Sequence, residues 1–176
     1  MIFVALLLVN LPAPSAQNIL STKAGVIQYA QGALFVDNVP LSLSKGDYPQ
    51  LENGQNLRTE LGRAELLLAP GIYLRLGEKS VLRMEQNSLE DTQVELKLGS
   101  ALIEAVHPIK ENRVRIHFSN NIVEIKKAGL YRLDSSTGEA RTYGGEISVL
   151  CGNRQLTVKR NRMAGLNGKL AAKSFH

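Results

Sequence analysis

The sequence predicts an all-β protein built from many short strands. Apolar and polar residues alternate with a period near two in segments such as residues 63–69 and 72–76, as strands with one buried and one wet face require. Turn-forming pairs such as Pro70-Gly71 and Gly144-Gly145 separate these segments at short intervals, because such residues reach positive φ or accept local hydrogen bonds. No segment keeps a helical period.

The predicted strands follow one another along most of the chain. A further regularity is that residues 71–76, Gly-Ile-Tyr-Leu-Arg-Leu, are echoed by residues 129–133, Gly-Leu-Tyr-Arg-Leu. Reuse of one strand-turn-strand unit predicts a solenoid-like or rolled β-sheet, and a β-sandwich is the alternative. The predicted strands are residues 25–29, 33–36, 57–59, 63–69, 72–76, 80–84, 93–98, 101–106, 113–118, 122–126, 130–133, 139–143, 146–150 and 155–160.

The first residues predict export. Residues 1–9 are wholly apolar, and Pro and small residues follow, as in the core and cleavage region of a signal peptide. We therefore expect a signal peptide over residues 1–16 with cleavage near Ser15 or Ala16, and a periplasmic or secreted protein. The alternatives are a buried strand and, since no basic residue follows Met1, an upstream start that makes this segment a membrane anchor. As given, the run is shorter than the roughly 20 apolar residues that span a bilayer.

The rest of the chain is interpreted as a single domain. At 176 residues it is long enough for one well-buried core. We assign residues 17–163 to an all-β domain and residues 164–176, which contain Gly, Ala and Lys, to a basic tail that is flexible or weakly helical.

The residue inventory argues against an enzyme and against a bound cofactor or metal. No Gly-x-Ser-x-Gly elbow is present, and adjacent acidic residues in turns are usually solvated. The three histidines are scattered and Cys151 is the only cysteine, so zinc spacing is absent and no intramolecular disulfide can form. We interpret Cys151 as a buried structural thiol.

Positive charge is concentrated near the C-terminus. Residues 147–176 contain six Lys or Arg residues and no Asp or Glu, in a chain whose net charge is +5. Such a surface could contact lipopolysaccharide, anionic lipid or cell-wall polymer, or it could be a solvated last strand. The candidate contacts for an anionic polymer are Arg154, Lys159, Arg160 and Arg162. Nucleic acid is not expected, because the chain is exported and has no Trp for base stacking.

Read as a series, several glycine-led strands resemble the FecR family domain. The similarity extends over most of the predicted exported chain and depends on the order and spacing of the elements. The matching residues are Gly25-Val26, Gly54 to Thr59 (a G-x-x-L-x-T step), 63–68, 71–76 (G-x-x-L-x-L), 80–82, 94–101 (V-x-L-x-x-G-x-A), 113–117, 122–125 and 145–149.

This resemblance implies a periplasmic, solenoid-like β domain that senses or relays a signal. In the best-known members, the domain couples an outer-membrane receptor to a cytoplasmic sigma factor through a membrane-spanning helix. We expect this chain, with a signal peptide and no cytoplasmic segment of its own, to bind another envelope protein instead. Contact would be made through strand edges or an exposed strand face, with Tyr73, Arg75, Tyr131 and Arg132 as exposed anchors. A structural or polymer-binding envelope protein is the second hypothesis.

Overall fold

A computed structural model of the chain describes residues 24–108, 111–166 and 171–175. The predicted signal peptide, residues 1–16, lies outside these residues. The described residues form fifteen strands in one sheet. The strands are β1 (Val26–Val36), β2 (Val39–Pro40), β3 (Asn56–Ala69), β4 (Ile72–Leu76), β5 (Val81–Asn87), β6 (Asp91–Leu98), β7 (Ser100–Ala105), β8 (Arg113–Phe118), β9 (Asn121–Ile125), β10 (Gly129–Asp134), β11 (Glu139–Thr142), β12 (Glu146–Cys151), β13 (Arg154–Lys159), β14 (Arg162–Gly165) and β15 (Ala171–Ser174).

The long strand β3 joins two halves of this sheet. Its residues 56–58 pair with β5, its residues 64–69 pair with β4, and β1 pairs along its other edge. The first half-sheet continues from β3 through β5, β6, β8, β9, β12 and β13, and the second continues through β4, β7, β10, β11, β14 and β15. Each later part of the chain therefore adds to one half-sheet or the other.

The chain alternates between the half-sheets as it proceeds. Strands β5 and β6 lie in the first half-sheet, β7 in the second, β8 and β9 in the first, β10 and β11 in the second, and so on to β15. Among the described strands, β6 and β8 form the single parallel pair. At the far ends, β13 contacts β11, β14 and β15, and the Asn161 N–H donates to the Thr142 carbonyl at 2.7 Å.

The predicted all-β class is confirmed, and the strands form a nearly closed, barrel-like sheet. Its interior is one continuous apolar cluster. In β4, Ile72, Leu74 and Leu76 are buried while Tyr73 and Arg75 face outward, as the alternation predicts. Each fully buried aliphatic side chain contributes about 1.5–3 kcal/mol to this interior.

Several boundaries differ from the predictions. The separate strands at 57–59 and 63–69 are one strand, β3. The predicted boundary after Met163 falls inside β14, and Ala171–Ser174 form β15 where a flexible or weakly helical tail was expected. This strand forms because Arg162–Gly165 offers a backbone edge with which it pairs in register. Cys151 is partly exposed and not buried, because it ends β12 beside a hairpin turn, opposite Arg154.

None of the described residues belongs to a helix with the length and apolar character needed to cross a membrane.

Candidate functional site

A row of large side chains crosses the outer face of the second half-sheet. Directly opposed residues on neighbouring antiparallel strands point to the same face. Register therefore places one residue from each of β1, β3, β4, β7, β10 and β11 side by side. In that order they are Tyr29, Glu65, Arg75, Leu102, Arg132 and Arg141.

Five members of this row line a groove that we call the arginine groove. Its volume is about 540 Å³, within the roughly 300–1,000 Å³ typical of ligand sites. Gly77 and Ser100, which have little or no side chain, contribute to its wall. The residues that define the groove are Tyr29, Arg63, Glu65, Arg75, Leu102 and Arg132.

Arg75 is held at the centre by two carboxylates. Its Nε donates to Glu65 at 2.7 Å, and its terminal nitrogen lies 2.8 Å from Glu104. The hydrogen bond with Glu104 is the largest cause that raises the pKa of Arg75; burial opposes this effect and Glu65 reinforces it. The guanidinium is therefore fixed in position and fully charged.

Arg63 lies at the β1 side of the groove and is positioned without a carboxylate. Its Nε donates to Gln31 Oε1 at 2.9 Å, and the Tyr29 hydroxyl donates to the same oxygen at 2.9 Å. Arg63 makes no ion pair within the described part of the chain, whereas Arg132 pairs with Asp134 at 3.0 Å. The three arginines and the carboxylates of Glu65, Glu104 and Asp134 balance in number, but among the described residues Arg63 is the arginine of the groove that has no carboxylate partner.

Two of the four predicted anchors meet in this groove. Arg75 and Arg132 lie on either side of Leu102 of β7. Tyr73 is half-buried in the adjacent outer row, opposite Glu104. The two echoed segments thus lie on either side of β7. Their Arg-Leu ends are at the same level, because Arg75 and Arg132 both lie opposite Leu102.

The predicted exposure of Tyr131 is wrong. Its side chain is buried, because the alignment of the echoed segments places Tyr131 opposite Ile103 at the inward position that Leu74 occupies in β4. Its hydroxyl donates to the Lys127 carbonyl at 2.5 Å, and burial raises its pKa. Tyr131 is therefore a core residue.

Sequence reasoning missed Tyr29, Arg63, Glu65 and Leu102. Each lies on an outward position of a strand. For Arg63 and Glu65, the alternation of apolar and polar residues predicts this outward orientation. Which strands are neighbours is set by long-range pairing, however, and no local pattern in the sequence shows it. The missing information was therefore the order of strands in the sheet.

The four predicted basic residues are all exposed. Lys159, Arg160 and Arg162 surround the turn between β13 and β14, whereas Arg154 begins β13, about 17 Å away along a six-residue strand. Lys159 lies opposite Glu146, whose carboxylate pairs with Lys127 at 3.0 Å. Three of the four thus form a basic cluster and Arg154 does not join it.

The described ranges contain no grouping of three or more His, Cys, Asp and Glu residues arranged to hold a metal ion.

Comparison with known proteins gives a match of structure but not of sequence. No protein-family model and no curated protein sequence matches the chain. Two crystal structures of a putative anti-sigma factor from Parabacteroides distasonis ATCC 8503 have a similar fold. The structure at 2.50 Å resolution has a TM-score of 0.55 at 14% identity, and the one at 1.65 Å has a TM-score of 0.57 at 13% identity.

These matches cover 66% and 68% of this chain and 57% and 59% of the Parabacteroides chain. The chain therefore spans less than two thirds of the length of the protein that it resembles. At this identity the similarity establishes a shared fold.

Proposed function

We propose that this chain is a non-catalytic, FecR-like binding module that contacts a protein partner through the arginine groove in envelope sensing or signalling. The observation that carries the proposal is the row of Arg, Glu and Tyr side chains held on adjacent strands by backbone register. The fold shared with a putative anti-sigma factor supports a signalling role.

The groove is suited to protein recognition because its side chains are already ordered. Arg75 is fixed by Glu65 and Glu104, and Arg63 by Gln31. Little further side-chain entropy is lost when such residues bind, and Arg and Tyr are enriched among residues that dominate interface energies. Arg63, which has no ion-pair partner among the described residues, favours an acidic residue on the partner.

We further propose that the protein acts in the periplasm or outside the cell after cleavage near Ser15 or Ala16. Its partner is then another envelope protein. The apolar composition of residues 1–9 and the small residues that follow support this location.

Photo-crosslinking in the native host tests the proposed surface. Tyr29 would be replaced by p-benzoylphenylalanine, and Tyr48, which is also exposed but does not line the groove, would carry the same replacement as a matched control. We expect a discrete crosslinked protein at position 29 that disappears with Arg63→Glu and is absent at position 48. Equal crosslinking at both positions, or none at position 29, would contradict the proposal.

A second candidate function is contact with an anionic envelope polymer. The observation that favours it is the exposed cluster of Lys159, Arg160 and Arg162. We expect cosedimentation with isolated envelopes that weakens with salt and is lost when Arg160 and Arg162 become Glu. Arg154→Glu is the control because Arg154 lies at the other end of β13. Salt-insensitive capture of one protein would instead favour the first function.

A further inference from the structure

Two β-bulges each turn a leucine side chain to the outside of the sheet. One bulge lies in β3, the strand that joins the two half-sheets, and the other lies in β6 of the first half-sheet. In β3, Leu57 and Thr59 point inward, so simple alternation would also bury Leu61. Between Gly32 and Leu34 of β1, however, the partner positions on β3 move from Gly62 to Thr59. The extra residue in β3 reverses the alternation, and Leu61 is 72% exposed.

This first bulge is held in place by the backbone. At Gly32, where φ is +83°, an added Cβ would lie 2.1 Å from the Leu61 carbonyl oxygen. At Gly62, an added Cβ would lie 2.4 Å from the Gln31 carbonyl oxygen. The two glycines therefore allow the close approach that presents Leu61 outward.

The second bulge lies in β6. Val94 and Leu96 are buried on alternate positions, and Leu98 would follow them into the core. Register instead pairs Leu82 with Leu96 and Val81 with Leu98, so Lys97 is the extra residue. Leu98 is consequently 56% exposed. Bulges are known to re-aim side chains in this way beside functional sites.

The two leucines meet in one cleft, which we call the leucine cleft. It is lined by Leu61, Val81 and Leu98, bordered by Arg58, Glu60 and Lys79, and has a volume of about 390 Å³. Burial of an exposed leucine side chain is favourable by about 1.5–3 kcal/mol. The cleft therefore offers apolar surface that a partner side chain could cover.

The border of the cleft contains Glu60 but carries a net positive charge from Arg58 and Lys79. Arg58 is neutralised by Glu60 at 2.5 Å and stacks over Phe35 at 4.2 Å. Lys79 makes no ion pair among the described residues. Lys97, which precedes Leu98, is exposed, and within the described part of the chain its side chain reaches the Asn56 side-chain oxygen at 3.5 Å and no carboxylate. Complementarity favours acidic groups next to an apolar group.

We propose that the leucine cleft receives an apolar side chain from a segment of a protein partner in which acidic residues flank that side chain. This inference rests on the proposed function, because it adds a second contact to the partner-binding module. The apolar anchor covers Leu61, Val81 and Leu98, and the flanking carboxylates face Lys79 and Lys97.

Methyl NMR of the full chain with three synthetic peptides tests the cleft directly. The probes are Ac-Ser-Asp-Asp-Leu-Phe-Asp-Asp-Ser-amide, the same peptide with Lys in place of Asp, and the acidic peptide with Ser in place of Leu-Phe. We expect the first alone to shift the methyl signals of Leu61, Val81 and Leu98. No shift with the acidic apolar peptide, or equal shifts with its basic counterpart, would overturn the proposal.

Matched variants distinguish specific binding at the leucine cleft from non-specific hydrophobic binding elsewhere on the surface. The double variant Leu61→Ser/Leu98→Ser, at two exposed positions, should weaken binding at least tenfold while keeping the fold. Leu150→Ser, at an exposed position that does not line the cleft, is the control and should bind normally. Lys79→Asn with Lys97→Glu should also weaken binding, and Asn suits the left-handed backbone at position 79. Equal binding by all variants would overturn the proposal.

Other occupants give distinct results. A dimer of the wild-type chain that dissociates in the Leu61→Ser/Leu98→Ser variant would assign the cleft to a second copy and overturn the proposal. Cosedimentation with phosphatidylglycerol vesicles that this variant abolishes would assign it to lipid, with the same consequence. If position 29 of the otherwise wild-type chain forms its crosslink and the acidic apolar peptide does not bind the wild-type chain, the inference fails and the proposed function survives. If the peptide binds the wild-type chain and no crosslink forms at position 29, the proposed function of the arginine groove fails and the leucine cleft remains a peptide-binding site.

Discussion

The buried hydroxyl of Tyr131 accepts a hydrogen bond of 3.0 Å from the backbone N–H of Glu146. The same hydroxyl donates to the Lys127 carbonyl at 2.5 Å. Tyr131 belongs to β10 in the second half-sheet, and Glu146 begins β12 in the first. The Tyr131 side chain therefore connects the two half-sheets: it binds the Lys127 carbonyl, in the turn between β9 and β10, and the Glu146 N–H at the start of β12.

Tyr131→Phe is expected to destabilise the protein by about 1–3 kcal/mol, because it removes the two hydrogen bonds that the hydroxyl makes with backbone groups of Glu146 and Lys127, each of which contributes about 0.5–1.5 kcal/mol. The aromatic ring would still fill the core. Urea denaturation followed by circular dichroism measures the difference. Tyr29→Phe, at an exposed tyrosine, is the control and should change stability by less than about 0.5 kcal/mol. Equal stability of the two variants would show that the Tyr131 hydrogen bonds contribute nothing net.

Gly145→Ala is expected to destabilise the same junction. At this residue φ is +79°, and an added Cβ would lie 2.2 Å from the Tyr131 hydroxyl and 2.3 Å from the Ala128 carbonyl oxygen. We expect a loss of about 3 kcal/mol or more from backbone strain and crowding together, measured as a lower midpoint in urea. Gly165→Ala is the control, since no atom of the described residues lies within 4 Å of its added Cβ. A loss as small as that of the control would contradict the geometry at Gly145.

The sequence identified the buried sides of several strands because alternation depends only on local residues. Ile72, Leu74 and Leu76 are buried as this pattern predicts. The echo between residues 71–76 and 129–133 also has a structural counterpart, since β4 and β10 both pair with β7. These features were accessible without knowledge of the fold.

Alternation failed where the backbone departs from a regular strand. Leu61 and Leu98 would be buried by pattern, yet bulges expose both. Tyr131 was expected outside, and a glycine-led alignment of the echoed segments matches it to Tyr73, whereas the register places both Tyr131 and Leu74 opposite Ile103 of β7. The arginine groove depends on strands that are distant in sequence, so its composition could not be deduced from any one segment.

Asp91→Asn is expected to destabilise the parallel contact between β6 and β8 at neutral pH. Asp91 accepts two hydrogen bonds from Arg115, one of them 2.9 Å long from Nε. Burial acts to raise the pKa of Asp91, but the hydrogen bond and charge of Arg115, with the charge of Arg113, lower it overall. The charged form is therefore favoured by folding, and its loss should cost about 1–3 kcal/mol.

The pH dependence of this effect has a definite sign. Because the folded pKa is below the unfolded value of about 4, the carboxylate stabilises the fold above that pH. The contribution is lost as pH falls through the folded pKa. Denaturation from pH 7 to pH 2.5 should show Asp91→Asn converging with the wild type in acid, while Glu78→Gln, at an exposed residue, stays close to it throughout. A difference as large at pH 2.5 as at pH 7 would refute an electrostatic origin.

Arg75→Gln is expected to weaken partner binding far more than stability. Its ion pairs with Glu65 and Glu104 are partly exposed, and exposed pairs contribute about 0–1 kcal/mol. Without Arg75, however, two unbalanced carboxylates lie beside the groove and repel the acidic partner residue expected at Arg63. Crosslinking yield at position 29 should fall at least tenfold with a small change in thermal midpoint. Adding Glu65→Gln and Glu104→Gln should restore part of the yield, because the repulsion is removed, and the loss that remains measures the contact of Arg75 itself. No rescue at all would contradict a contribution from repulsion.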